Sequence, residues 1–169
     1  ILRHHDPNAR SSHQKSPETC GECHKGILKE WDESAHGALR RDGKEGPVCT
    51  TCHEAHAVQS PTTIEMRQHM PTDCGNCHAD LYKSFHDSFH GKATSLGYMA
   101  AAKCSDCHTP HHNLAAADPA SSVNPANLMA TCGQCHPGAS ESFVGYQPHL
   151  DPTKPDQSAL VYWISFLMK

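Results

Sequence analysis

One short motif occurs five times, and no other feature constrains this chain as much. Cys-x-x-Cys-His begins at Cys20, Cys49, Cys74, Cys104 and Cys132 and ends in His24, His53, His78, His108 and His136. The second cysteines are Cys23, Cys52, Cys77, Cys107 and Cys135, so all ten cysteines belong to the motifs. Two thiols and an adjacent histidine read as a c-type haem attachment site. The thiols form thioethers to the haem, and the histidine supplies one axial nitrogen to its iron. A zinc site takes four ligands, usually from two Cys-x-x-Cys pairs, and five pairs leave one unmatched. A disulfide framework would space ten cysteines more freely. An iron–sulfur site bunches its cysteines in one run. The spacing therefore predicts five covalent haem c groups.

Composition then says where a core can come from. Only 37% of the 169 residues are hydrophobic and 6% are aromatic, alongside 12 prolines and 11 glycines. Such a chain buries little apolar surface of its own. Five haems amount to about one large apolar disc per 34 residues. We expect the haems to be the core and the apoprotein to be largely unfolded, as in small domains whose metal supplies the folding energy. The expected fold class is mainly α with much irregular structure, haem-cored, with almost no β. The formal charge is −4 before any haem propionate is counted. This acidity argues against nucleic acid, whose binding needs basic patches, and favours a redox partner that offers a basic one.

The motifs sit in an internal repeat. An arm, residues 1–19, carries His4, His5 and His13, which read as solvated or capping residues; the arm reads as extended up to Ser16-Pro17. Residues 20–56 form a first dihaem unit. Its first motif is followed by a helical pattern with Ile27, Leu28 and Trp31 on one face, ending in Ser34-Ala35-His36-Gly37. The glycine reads as a helix stop. The second motif follows at Cys49, with His56 three residues after His53. Residues 74–112 repeat this, with Leu81, Tyr82 and Phe85 on the helix, Ser88-Phe89-His90-Gly91 at its end, and His111 in the place of His56. The offset is 54 residues for the first motif and 55 for the second. Residues 132–150 are a single-haem half-unit ending near His149. The linkers are 57–73, with a possible short helix around 64–69, and 113–131, which reads as irregular. The tail, 151–169, becomes apolar on nearly every helical face from Ser158 onward. Twelve residues are too few for a bilayer, which needs about 20. Tyr162 and Trp163 suit a membrane interface, so the stretch reads as the possible start of a membrane helix; the alternative is a helix packed on a haem or a partner subunit.

Of 16 histidines, five are proximal, and eleven remain for five distal positions. The repeat nominates His36, His56, His90, His111 and His149, with His112 and His69 in reserve; His86 reads as a helix-face residue. On a continuous helix His36 would lie about 18 Å along the axis from His24, which rules out one shared iron. His56 is too close to His53 to reach the far face of the second haem. The simplest solution is exchange within each unit: His36 to haem II, His56 to haem I, His90 to haem IV and His111 to haem III, with His149 on haem V. Histidine on both faces gives low potentials relative to Met/His ligation. With histidine available for every iron and no motif departing from Cys-x-x-Cys-His, the expected role is an electron carrier with no catalytic residue. The alternatives are a haem redox enzyme with one open iron, or the subunit of a cytochrome filament.

Two tandem units of Cys-x-x-Cys-His, a helix ending Ser-x-His-Gly, and Cys-x-x-Cys-His-x-x-His resemble the multihaem c-type cytochromes. Five motifs in a chain of this size are similar to small pentahaem periplasmic carriers and to the haem domains of membrane-bound quinol-linked cytochromes. The resemblance spans roughly residues 17–150. It implies bis-histidine haems in a chain, respiratory electron transport, and a location on the periplasmic or extracellular side, where c haem is attached. It implies redox protein partners, such as a quinol-oxidising membrane subunit or a terminal reductase. The apolar tail suggests attachment to a membrane complex.

Overall fold

Odd-numbered motifs fall at joints between helices, and even-numbered motifs are themselves single helical turns. This holds in the computed structural model, which describes residue 6 and residues 8–168. Helix α1 (Ser16–Gly21) carries Cys20 near its end, and α2 (Lys25–Glu33) starts directly after His24; α3 (Ala35–Arg41) completes the first unit's helical half. The second motif is α4 (Cys49–Cys52). The second unit repeats the plan with α5 (Ile64–Gly75), α6 (Ala79–Asp87), α7 (Phe89–Ser95) and α8 (Cys104–His108). The half-unit has α9 (Leu128–Gly133) and α10 (Glu141–Val144), and α11 (Ala159–Leu167) ends the chain. About half of the chain is helical, and no strand occurs among the described residues. The fold class is mainly α.

The Ser-x-His-Gly sequences are corners, not ends. Ser34 has extended backbone (φ −77°, ψ 170°) between α2 and α3. Its hydroxyl donates to the Trp31 carbonyl at 2.6 Å and accepts the Gly37 N–H at 3.1 Å, so one buried serine closes one helix and caps the next. Ser88 does the same between α6 and α7, with Phe85 and Gly91 at 2.6 and 3.2 Å. The glycine expected to stop a helix instead lies inside the following one. It is small because the preceding helix passes against it: a Cβ on Gly37 would meet the Trp31 carbonyl oxygen, and one on Gly91 the Phe85 carbonyl oxygen. Gly91→Ala should therefore cost about 1–3 kcal/mol or more in thermal unfolding of the loaded protein, since backbone must move. A similar change at Gly26, which has no atom within 4 Å of a built Cβ, should be near neutral or stabilising.

Other local features follow from composition. The amphipathic helices α2 and α6 lay Leu28 and Tyr82 over Gly21 and Gly75 of the preceding motif, where a Cβ would collide with them. The arm is not extended throughout: His13–Lys15 is a 3-10 turn and α1 follows, with Pro17 in its first turn, where the missing N–H is not needed. His4 and His5 lie outside the described residues. The linker helix expected around 64–69 continues through Pro71 into Gly75, so it delivers Cys74 directly. Residues 115–127 are turns, tied by the Asn127 amide to the Pro119 and Ser121 carbonyls at 2.8 and 2.9 Å. Helix packing runs α1 on α4, α4 on α5 and α5 on α8, with α9 on α10. The first four motifs thus lie side by side in chain order.

Candidate haem-binding site

Local structure presents each motif's histidine in one of two ways. His24 and His78 are the last residues before α2 and α6, with matching backbone (φ −96°, ψ 52° and φ −108°, ψ 53°). His53 and His108 end the helical turns α4 and α8. Each of these turns is tightened by a side chain that accepts from the residue before the first cysteine: Thr51 from the Val48 N–H at 3.0 Å, and Asp106 from the Lys103 N–H at 2.9 Å. After His108, Thr109 adopts positive φ (58°), and its hydroxyl donates to the His112 carbonyl at 2.7 Å. This turn reverses the chain toward His111.

Four pairs of histidine rings face each other. His36 lies 6.2 Å from His78, His53 6.2 Å from His111, His90 6.0 Å from His136, and His108 6.2 Å from His149, between ring centroids. A metal–imidazole bond is about 2 Å, so two in line, plus roughly 1 Å from each nitrogen to its ring centre, put trans imidazoles roughly 6 Å apart. The residues present fit an iron between each pair. Among the described residues no three His, Cys, Asp or Glu side chains converge as a protein-only metal site requires.

The partners are not those expected from exchange within a unit. His36 faces His78 of the second unit, where His53 was expected. His111 faces His53 of the first unit, where His78 was expected. His90 reaches forward to His136, where His108 was expected, and His149 reaches back to His108, where His136 was expected. For His36 and His90 the Ser34 and Ser88 corners account for this, because each turns its histidine away from its own unit. His56, nominated for haem I, is exposed on the loop after α4 and faces no ring among the described residues. Its counterpart is His111, which reaches backward by one unit; one unit behind His56 there is no motif in this chain. His69 is exposed and bonds Asp73 at 3.0 Å, and the half-buried His112 is held through its carbonyl. His86 lies against Tyr82 on α6.

Burial shifts five of these imidazoles, His36, His90, His108, His111 and His149, toward the neutral form, which is the one that ligates metal. Burial first, and then the facing His78 ring, holds His36 below the usual histidine range; His90 follows with His136, and His111 with His53. His108 is lowered by burial, then by His149 and His78. His149 is lowered by burial, against a hydrogen bond to the Leu81 carbonyl. Two residues that the motif reading does not point to complete the shell. The Ser84 hydroxyl is 3.1 Å from His149 Nδ1, and the Asn113 amide is 3.0 Å from His36 Nδ1. Only the proximity of Asn113 to His111 in sequence hinted at the second; nothing in the sequence singles out Ser84. Phe143 lies against His136 in a tilted arrangement, with ring centroids 4.9 Å apart.

The thiols make the row continuous. As free thiols, Cys49 contacts Cys20, and Cys104 contacts Cys74. Burial, followed by Cys74, Asp73 and Cys77, pushes Cys52 up to about 11. Cys107 is raised by burial and then by Cys132. Cysteines of successive motifs thus lie close enough to influence one another from the first motif to the fifth. The Cys74 and Cys104 contact favours ionising one sulfur and opposes the second.

Residues 7–79 match the model of the family described as cytochrome c7 and related cytochrome c, a multihaem c-type cytochrome family. No curated protein and no solved structure matches the chain. The matched span holds the first three motifs, and that family binds haem c covalently. What that match supports as a function class is electron transfer by a multihaem c-type cytochrome.

Proposed function

We propose that the chain passes electrons along a row of five covalent c haems in motif order. His53 and His111 hold haem II, His78 and His36 haem III, His108 and His149 haem IV, and His136 and His90 haem V; His24 holds haem I from its proximal side. The four facing ring pairs at 6.0–6.2 Å carry this reading. The haem supplies one-electron chemistry at an iron whose potential the axial ligands set. The chain's part would be to hold the irons of haems II to V each between two imidazoles, an arrangement that suits an iron whose geometry changes little on reduction, and to tie each distal ligand to a neighbouring motif. Intact mass should show five attached haems. Electron paramagnetic resonance should show low-spin ferric iron at haems II to V. Three attached haems, or a high-spin majority, would sink the reading. His78→Met should slow transfer between the two halves of the row while leaving partner docking intact, as followed by stopped-flow reduction.

A second reading has one observation behind it. His24 faces no other ring among the described residues, so haem I is the place for an open iron and for reductase chemistry. Carbon monoxide binding to the native ferrous protein, at one haem in five, would support this reading; a carbon-monoxide-silent protein would leave the carrier alone.

We place the row on the periplasmic or extracellular side, as part of a respiratory complex, with a quinol-oxidising membrane subunit or a terminal reductase as partner. The support is α11, which exposes Leu160, Trp163, Ile164, Phe166 and Leu167 around its circumference. No helix among the described residues is long and apolar enough to cross a membrane. A helix apolar on all sides is stable when surrounded by hydrocarbon or protein. The loaded protein should float with lipid vesicles, and removing residues 158–169 should abolish flotation; equal flotation of both would refute the role of α11.

A further inference from the structure

We propose that Asn113 is a positioning residue for His36 and thereby sets the potential of haem III; this rests on the ligand pairs given above. Asn113 holds the His36 corner at two points. Its carbonyl accepts the Ala35 N–H at 2.9 Å, and its side-chain amide lies 3.0 Å from His36 Nδ1. An imidazole that gives its Nε2 lone pair to iron carries its proton on Nδ1, so Nδ1 must donate. Only the carbonyl end of an amide can accept that proton. As placed, the NH2 end faces Nδ1, and Oδ1 is buried without a partner. The two ends exchange by half a turn of the side chain and are assigned by their partners. The ligating orientation is the one with Oδ1 on the Nδ1–H. Its NH2 then takes the buried position that Oδ1 now holds.

His149 has the same arrangement in finished form. The Ser84 hydroxyl donates to the Leu81 carbonyl at 2.9 Å, which leaves its oxygen to accept from His149 Nδ1 at 3.1 Å. Ser84 lies on α6, directly after the haem III motif, yet it holds the ligand that faces His108. Asn113 follows the ligand that faces His53, yet it holds the ligand that faces His78. Each positioning group thus belongs to the segment serving an adjacent haem. An acceptor on Nδ1–H makes imidazole a stronger donor, and this favours ferric over ferrous iron.

The test uses the fully loaded protein and three variants: Asn113→Leu, Asn113→Asp and His36→Ala. Outer-shell changes typically act by 10–100-fold. We expect Asn113→Leu to move one haem of five toward easier reduction by about tenfold in its ferric/ferrous ratio, or about 59 mV for one electron. Asn113→Asp, a stronger acceptor of the same shape, should move the same haem the opposite way. Both should leave haems II to V low-spin. A purely structural role would shift both variants in one direction, and that result, or no shift in either, overturns the proposal. If Asn113→Leu fails to assemble, the sign of the Asn113→Asp shift decides. His36→Ala separates the two levels of argument. If it leaves the spin state of all haems unchanged, the ligand assignment fails and Asn113 falls with it. If it changes one haem while the Asn113 variants do nothing, only the positioning role fails.

Discussion

Made without haem attachment, the chain is expected to lose most of its helical circular dichroism and to show no cooperative thermal transition. A folded monomer of 18.4 kDa exposes about 8,200 Å². This chain exposes 11718 Å². The excess, roughly 3,500 Å², is surface that an ordinary domain of this size would have buried. The buried hydrophobic residues among those described are Ala9, Val48, Phe85 and Ala101, and the largest fully buried side chain is Lys103, whose ammonium donates to the Met99 and Ala101 carbonyls. Phe89 and Leu96 are 82% and 86% exposed on or beside α7. Among the described residues no helix exceeds the 12 residues of α5, a length at which an isolated helix is marginal in water. Part of this exposed apolar surface, Phe89 beside His90 and Phe143 beside His136, adjoins the facing histidines, where porphyrin would cover it. Losing that cover should remove more than the 5–15 kcal/mol by which a domain is stable. Circular dichroism and calorimetry of attached and unattached protein test this. A cooperative melt with native helix content in the unattached chain would refute it.

His36→Ala combined with His78→Ala is expected to disturb a single haem, whereas His36→Ala combined with His53→Ala should disturb two. In the proposed ligation facing rings would share one iron, so removing both members of a pair counts once. Exchange within a unit makes the opposite forecast, with His36 and His53 on one iron and His78 on another. Spin counting by electron paramagnetic resonance decides between them. Each imidazole lost from a bis-histidine iron leaves it five-coordinate or water-bound, and therefore high-spin. His36→Ala alone should also slow transfer from the first half of the row to the second by about tenfold or more, the lower edge of what ligand-shell changes cause. It should leave haems IV and V low-spin. The complementary pair, His111→Ala with His53→Ala, should again count once.

Residue spacing carried the motif count, the repeat and the mainly helical class, since each depends on residues close in sequence. The same spacing misled at Gly37 and Gly91. A glycine after a helical run ordinarily ends it, but here Ser34 and Ser88 break the helix three residues earlier, and the glycine is needed for backbone contact across the corner. The pairing of histidines was beyond sequence reasoning for a related reason. The 12 residues between His24 and His36 rule out a shared iron on a straight helix, yet say nothing about where a broken one aims. At His149 the spacing resembles that of His36 and His90, but the ring turns back to His108, held by Ser84 from 65 positions away.

Cys-x-x-Cys-His is a local chemical unit: two thiols and an imidazole within five residues suit one haem edge and one face of its iron, whatever the rest of the chain does. That much, five times over, was decided by the sequence. In the proposed ligation the opposite face of four of these irons takes a second imidazole from far along the chain. Which one arrives is set by the corners at Ser34 and Ser88, the reversal at Thr109 and the packing of α1, α4, α5 and α8 in a row. These are tertiary choices, because many histidines are chemically equivalent and only their placement in space distinguishes them.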